Sequence, residues 1–402
     1  MRFLVLALVL ATASPAIADD NGAPSPSPAE RRIESAKTLI QTQPDRFQAY
    51  NDLALGLISR ARETGDSSCY EEAEKSIARS LQIQPHNFDG EQAHIALLLA
   101  ERRYAEALAE AKALNHKTPD AVLLWGYISE ADEALGDYDE SARAAQWMLD
   151  LRPGNVPGLL RAAALREDWG DLEGSADLLS RALEETPAFE SEQTAWILTS
   201  LARVNRMNAK LNAAESFLQR ALASFPDYYA PIEELSRVRM AQHRDAEAIE
   251  LIDKRNLHFP SPQSVYFLAA TLEQAGRTEE AQTAFRQFEQ TALAITDQPA
   301  NSNRELILYY AGRGQKPAEA LRVAQTEIAR RHDLGTLDAY AWALYSNREY
   351  AEAQRQIERA LTLGNREPDI AVHAAAIRKA AAEKGGADIG LGAQQAAVDP
   401  TP

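Results

Sequence analysis

Seven histidines, at positions 86, 94, 116, 243, 258, 332 and 373, are the residues of this sequence best suited to hold a metal or move protons. Their spacing argues against both uses. No H-E-x-x-H occurs, and a site built from them would need side chains scattered along the whole chain to converge. The stretch "GGADIGLGAQQ" lacks the third glycine, the preceding strand and the following helix of a dinucleotide loop. Neither G-x-x-x-x-G-K-[ST], which cradles phosphates, nor G-x-S-x-G, which presents a nucleophile, is present. The 59 Asp and Glu residues make neighbours such as Glu184-Glu185 unavoidable, and these read as solvated faces rather than acid–base dyads. The sequence points to no catalytic residue, no metal and no cofactor, and thus to a protein that is not an enzyme.

Any functional surface must then be carried by a scaffold, and the composition says which kind. Of 402 residues 45% are hydrophobic, with few β-branched side chains, which favours helices. A formal net charge of −17 argues against nucleic acid, whose phosphates call for a basic surface, and against anionic membranes. "MRFLVLALVLATASPAIADD" has one Arg, an apolar run from Phe3 to Ala11, and Ala16-Ile17-Ala18 as a small-x-small cleavage site. Residues 1–18 therefore read as an export signal, and the run is about half of what spans a bilayer. Cleavage after Ala18 leaves a soluble periplasmic or secreted chain, one charge unit more negative, with no stable membrane span. Cys69 is the only cysteine, so no internal disulfide can form, and an inert thiol is its plainest state.

The scaffold announces itself by repetition. "GDYDESARAAQWMLDLRP" (136–153) is followed 34 residues later by "GDLEGSADLLSRALEETP" (170–187). The small residue at Ser141 and Ser175 extends to Ala73, Ala107, Ala214, Ala248, Ala281, Ala320 and Ala353, at intervals of 33, 34 or 39. An apolar or small residue follows each by four positions, as on one face of a helix. Twelve positions before lies a second column: Ala54, Ile95, Ser129, Ala163, Ala202, Ser236, Ala269, Leu308 and Ala341, with seven extra loop residues allowed in the first unit. Two small columns are what two antiparallel helices need where they cross closely. Gly136-Asp137 and Gly170-Asp171 mark turns inside units, and Pro85, Pro119, Pro153, Pro187, Pro226 and Pro260 close them. Trp125, Phe285 and Phe288 are read as core.

These residues carry a resemblance. "AVLLWGYISEADEALGDYDESARAAQWMLDLRP" (121–153), with Trp125, Gly136, Tyr138 and Pro153, resembles the tetratricopeptide repeat, as does "LDAYAWALYSNREYAEAQRQIERALTL" (337–363). "ARETGDSSCYEEAEKSIARSLQIQP" (61–85) resembles a first repeat with a lengthened inter-helix loop, as in exported bacterial proteins with many repeats. The resemblance implies an all-α, right-handed superhelical solenoid of stacked antiparallel helix pairs, with about nine repeats over 46–366. Arg255 and Glu327 depart from it, standing where a small residue is usual, and the eighth copy fits worst. A flexible spacer is expected over 19–28, a capping helix over 29–44, a second over 368–384, and a disordered tail over 385–402.

In that family the first helix of each repeat lines a concave groove for peptides. Carried over by register, the groove would present Trp196, Arg203, Arg206, Arg237, Trp342 and Tyr345. The arginines could hold a carboxylate in forked hydrogen bonds, or be ordinary salt-bridged helix surface. Trp342 and Tyr345 could stack on a ligand, or pack between units. Nine units give a path on the order of 80–90 Å, suited to many weak contacts rather than one deep pocket. The resulting expectation is a scaffold or adaptor holding a protein or peptide of the cell envelope, with a self-associating structural solenoid, a homo-oligomer, as the alternative.

Overall fold

The computed structural model describes residues 26–396 except 188, 227 and 259, and only the backbone of 258 and 385–396. Residues 1–18, expected to be an export signal, most of the expected spacer and residues 397–402 lie outside the described residues. Helix α1 (Pro28–Thr42) stands alone. Four hairpins follow: α2 (Phe47–Thr64) with α3 (Cys69–Ile83), α4 (Phe88–Ala100) with α5 (Tyr104–Lys117), α6 (Val122–Ala134) with α7 (Tyr138–Leu151), and α8 (Val156–Asp168) with α9 (Leu172–Glu185). Next come α10 (Ser191–Met207) with α11 (Leu211–Ser224), α12 (Tyr229–Ala241) with α13 (Asp245–His258), and α14 (Pro262–Gln274) with α15 (Thr278–Leu293). The last two are α16 (Asn303–Ala311) with α17 (Pro317–Ile328) and α18 (Leu334–Ser346) with α19 (Tyr350–Leu361), closed by α20 (Pro368–Ala396). Among the described residues there is no strand.

Local chemistry explains the repeating motif. Gly136 and Gly170 take the left-handed conformation (φ 86 and 69), which turns the chain between helices. The next residue caps the second helix: Asp137 accepts from the Glu140 amide at 3.1 Å and Asp171 from the Gly174 amide at 2.9 Å. Each such cap contributes about 1 kcal/mol. Pro85, Pro119, Pro153, Pro187, Pro226 and Pro260 each sit two residues beyond a helix end.

The small columns form the hairpin crossings. Every residue of the second-helix column is at most 2% exposed. Two serines of the columns also bond across, Ser141 Oγ donating to the Ser129 carbonyl at 2.7 Å and Ser236 Oγ to the Ala248 carbonyl at 2.9 Å, whereas Ser175 Oγ is buried without a hydrogen-bond partner among the described residues. Leu308 is the exception. The turn of its unit, 312–316, is two residues longer than the usual three, so Leu306, fully buried, takes the crossing and Leu308 is only partly buried.

Three further features differ from expectation. The extra residues of the first unit are mostly helix: α2 has 18 residues against 13 in α6. Its extension carries Glu63, 2% exposed, which accepts from Ser27 Oγ and from the Ala29 amide at 3.1 Å and so receives the start of α1. At the other end α20 continues through Ala396, so residues 385–396 are helical: once 368–384 are docked, each added residue avoids the nucleation cost. Phe285 and Phe288 are core, but Trp125 is only half-buried, stacking on Trp147 at 5.7 Å and donating to the Pro119 carbonyl.

The largest difference is the path of the stack. It coils tightly enough for later hairpins to touch earlier ones. The His332 amide donates to the Ala134 carbonyl at 2.9 Å, and the Leu334 amide to the Tyr138 hydroxyl at 3.2 Å. Arg102 Nη1 donates to the Asn301 carbonyl at 3.0 Å, and Arg62 reaches Glu192 with Nε at 2.8 Å and Nη2 at 3.0 Å.

Candidate binding lumen

Coiling converts the concave face into a lumen. Two adjoining cavities of about 830 Å³ each share Arg102, Glu130, Trp196, Tyr229, Glu233 and Gln263 as walls. All nine first helices contribute to them, from Leu55 and Ile58 on α2 to Leu334 and Gly335 on α18. The expected shallow, extended groove is therefore replaced by a deep interior, because the turn-to-turn contacts bring opposite walls together.

Of the six residues expected to line a groove, Trp196, Arg203, Arg206 and Arg237 meet here. Trp196 and the Arg203 side chain are each 38% exposed, but the surface they show faces the cavity. Arg203 grips Glu167 of the preceding unit with both fork arms, Nε at 2.8 Å and Nη2 at 3.0 Å. That carboxylate holds the guanidinium proton more firmly than usual. Arg206 Nε donates to Glu234 of the following unit at 2.6 Å. Arg237 is looser, 3.9 Å from Glu234, with its guanidinium 4.5 Å from the centre of the Phe267 ring.

Trp342 and Tyr345 lie elsewhere. They stack on each other at 4.7 Å, and His373 of α20 stacks on Trp342 at 4.2 Å. His373 Nδ1 lies 2.8 Å from Oδ1 of fully buried Asp338. The last helix covers in the ninth unit the face that earlier units turn to the lumen.

Several lining residues were not singled out from the sequence. Arg161 pairs with Glu133, repeating one unit earlier the rung formed by Arg203 and Glu167. Among the described residues the Asp168 carboxyl has neither a hydrogen-bond partner nor a salt bridge. Burial first, then the charges of Glu133 and Glu167, push its carboxyl up to about 8. Desolvation by the surrounding cavity walls raises Glu130, whose side chain is open to the lumen, and burial raises Glu233, held 3.0 Å from Arg255. Arg304 points its Nε into the wall with no hydrogen-bond partner. The register that selects Arg203 and Arg237, one residue past the small column, also selects Glu130. Arg161, Arg203 and Arg206 are committed to carboxylates, and the groups left for a ligand include Arg237, Arg304, Glu130, Asp168 and the Trp196 ring. Such a surface can hold a polar chain of mixed charge. Cys69 stands outside the lumen lining, its thiol pushed up by burial and by Asp66.

The nine hairpins, their small crossing residues and the superhelical coil decide the architecture. The chain has the tetratricopeptide-repeat fold. Solved structures agree: the chain superposes on the Cut9-Hcn1 hetero-tetramer of APC/C with TM-score 0.51 and 13% identity, covering 86% of this chain and 58% of that one. A monomeric IFIT1 mutant with Gppp-AAAA gives TM-score 0.50 at 13% identity, covering 82% of this chain and 75% of that one. Among curated proteins, the pre-mRNA-splicing factor SYF1 of Mycosarcoma maydis is 28% identical over 204 residues. That match takes in 49% of this chain and 17% of the splicing factor. No family model matches the sequence. Among the described residues, no group of three or more His, Cys, Asp or Glu is placed to hold a metal, and no helix is long and apolar enough to cross a membrane.

Proposed function

We propose that the chain is a non-enzymatic, exported scaffold whose lumen holds an extended segment of a protein partner of the bacterial cell envelope. The observation that carries this reading is the convergence of all nine first helices on one cavity system with uncommitted charges of both signs. A backbone segment with mixed side chains matches that wall. Nucleic acid does not: the lining holds more carboxylates than arginines around the second cavity, and phosphate binding needs the reverse. Export rests on residues 1–18, and a mature N-terminus beginning at Asp19 in an envelope fraction is the expected product.

The test is affinity capture from intact envelopes with Trp196→Ala and Arg237→Glu variants, identifying the bound protein by mass. Capture of one partner by the wild-type chain, lost in both variants while the helical signal and melting temperature persist, is expected. Capture unchanged in both variants removes the lumen as the binding site. Self-association is the second reading, favoured by Leu123 and Trp147, 45% and 51% exposed on the outer face of the third hairpin. A mass that rises with concentration and falls in Trp147→Ser would support it.

A further inference from the structure

We infer that the line of contact between successive turns of the coil is a gate, which opens along its length while the hairpins stay stacked and gives side access to the lumen. The function assigned to this gate rests on the lumen being the binding site; its opening does not.

Three observations lead to it. The contacts that close the coil are polar: Arg62 on Glu192, Arg102 on the Asn301 carbonyl, His332 on the Ala134 carbonyl, Leu334 on the Tyr138 hydroxyl. Water can replace every one of them, and the Arg62 side chain is already 51% exposed. Of the hydrophobic clusters, one reaches across, through the Tyr138 ring against the group around Leu334 and Leu337. Neighbouring hairpins, by contrast, are joined by interdigitated apolar side chains, which cannot separate without exposing core.

The meeting surfaces are also flat. A Cβ on Gly136 would stand 2.9 Å from the His332 Cβ and 3.2 Å from its carbonyl oxygen, and one on Gly170 would strike the Gly364 carbonyl. Gly276, at the same turn position in the seventh unit, has nothing within 4 Å. Close approach without interlocking side chains lets two surfaces part and rejoin.

Finally, the residues that break the repeat pattern assemble this contact. Buried Glu327 accepts from Asn301 Nδ2 at 3.1 Å and Asn303 Nδ2 at 2.9 Å, pinning the inserted segment whose Asn301 carbonyl meets Arg102. Buried Arg255, held by Glu233 and by Ser264 Oγ at 2.8 Å, backs Tyr229 where the turn at Gly65 arrives. Substitutions away from the small residue a repeat needs are thus spent on turn-to-turn closure.

Amide exchange on the full chain tests the opening. The His332 and Leu334 amides have no partner within a helix, so their protection reports this contact alone. They should exchange at least tenfold faster than the interior amides of α6 and α18. Arg102→Ala, which touches neither amide, should speed them severalfold more with the melting temperature unchanged. Exchange only at the rate of global unfolding, or no response to Arg102→Ala, overturns the gate. Side access is tested in a Cys69→Ser background with Asp139→Cys and Thr362→Cys, exposed on opposite sides of the contact, bridged by a disulfide-containing bis-maleimide, using a fluorescent mixed-sequence dodecapeptide library. Bridging should cut the capture rate at least tenfold, with recovery when the linker is reduced. Equal rates would mean threading from an end and overturn side access, whereas capture by neither form refutes the lumen reading and leaves the exchange result to judge the opening.

Discussion

The third hairpin meets its surroundings in two ways. Toward the hairpins before and after it, α6 and α7 bury Leu124, Ile128, Ala144 and Met148, each at most 4% exposed. Toward the far turn of the coil, the same hairpin offers the Ala134 carbonyl, the Tyr138 hydroxyl and the bare backbone of Gly136. The first surface is the repeat itself, and it recurs wherever the motif does. The second exists only because the coil brings residues far apart in sequence together. The chain is therefore one scaffold with two kinds of joint, an apolar one that sets stability and a polar one that sets shape.

Loss of apolar packing should have the largest effect. Leu124→Ala, at a fully buried site, should cost about 2–5 kcal/mol, read from the urea midpoint. A cost under about 1 kcal/mol would mean the neighbouring-hairpin joint is not the stabilising one. The paired glycines come next. Gly276→Ala meets only left-handed strain of about 1–2 kcal/mol, whereas Gly170→Ala has the same strain and also strikes Gly364. Gly170→Ala should thus speed His332 amide exchange and Gly276→Ala should leave it alone; equal effects would erase the distinction between the joints.

The lumen should show in the pH dependence. Asp168 keeps its proton up to about pH 8 when folded, while an unfolded Asp releases it near about 3.9. The folded state binds the extra proton, so this group's contribution is complete below about pH 4 and is lost as pH rises toward 8. Asp168→Asn should flatten that decline in urea midpoints between pH 5 and pH 8. Glu215, held down to about 2 chiefly by hydrogen bonds from Arg239 and Gln242, acts oppositely: its contribution disappears only on acidification below the usual carboxylate range. The smallest change in stability is expected for Arg62→Ala, within about 1 kcal/mol, because the Arg62 side chain is 51% exposed and water can take its place beside Glu192.

The joint between neighbours was legible in the sequence because it is periodic. Ser141, Ser175 and their counterparts mark the crossings, Gly136-Asp137 the turns, and the prolines the ends of units. The same register placed Trp196, Arg203, Arg206 and Arg237 on the inner wall, since a helix face follows from position alone. For Trp342 and Tyr345 the packing alternative is the one found, since Tyr345 stacks on Trp342 and Trp342 on His373 of α20, the helix expected as a cap over 368–384. The register missed closure, for the partners of Ala134, Tyr138 and Arg102 sit in the eighth and ninth units and the segments around them. Only departures carried that information: Arg255, Glu327 and the insertion before Asn303 stand out as misfits to the repeat, and they are the residues that build the far side of the contact.

Asp139 and Thr362, both exposed, line one cavity on opposite sides of the turn-to-turn contact. Spin labels at Asp139→Cys and Thr362→Cys in a Cys69→Ser background, measured by pulsed electron paramagnetic resonance, would test closure directly. A dominant short, narrow distance with a small population at long range is expected. A broad distribution centred at long range would show an open solenoid and contradict the lumen.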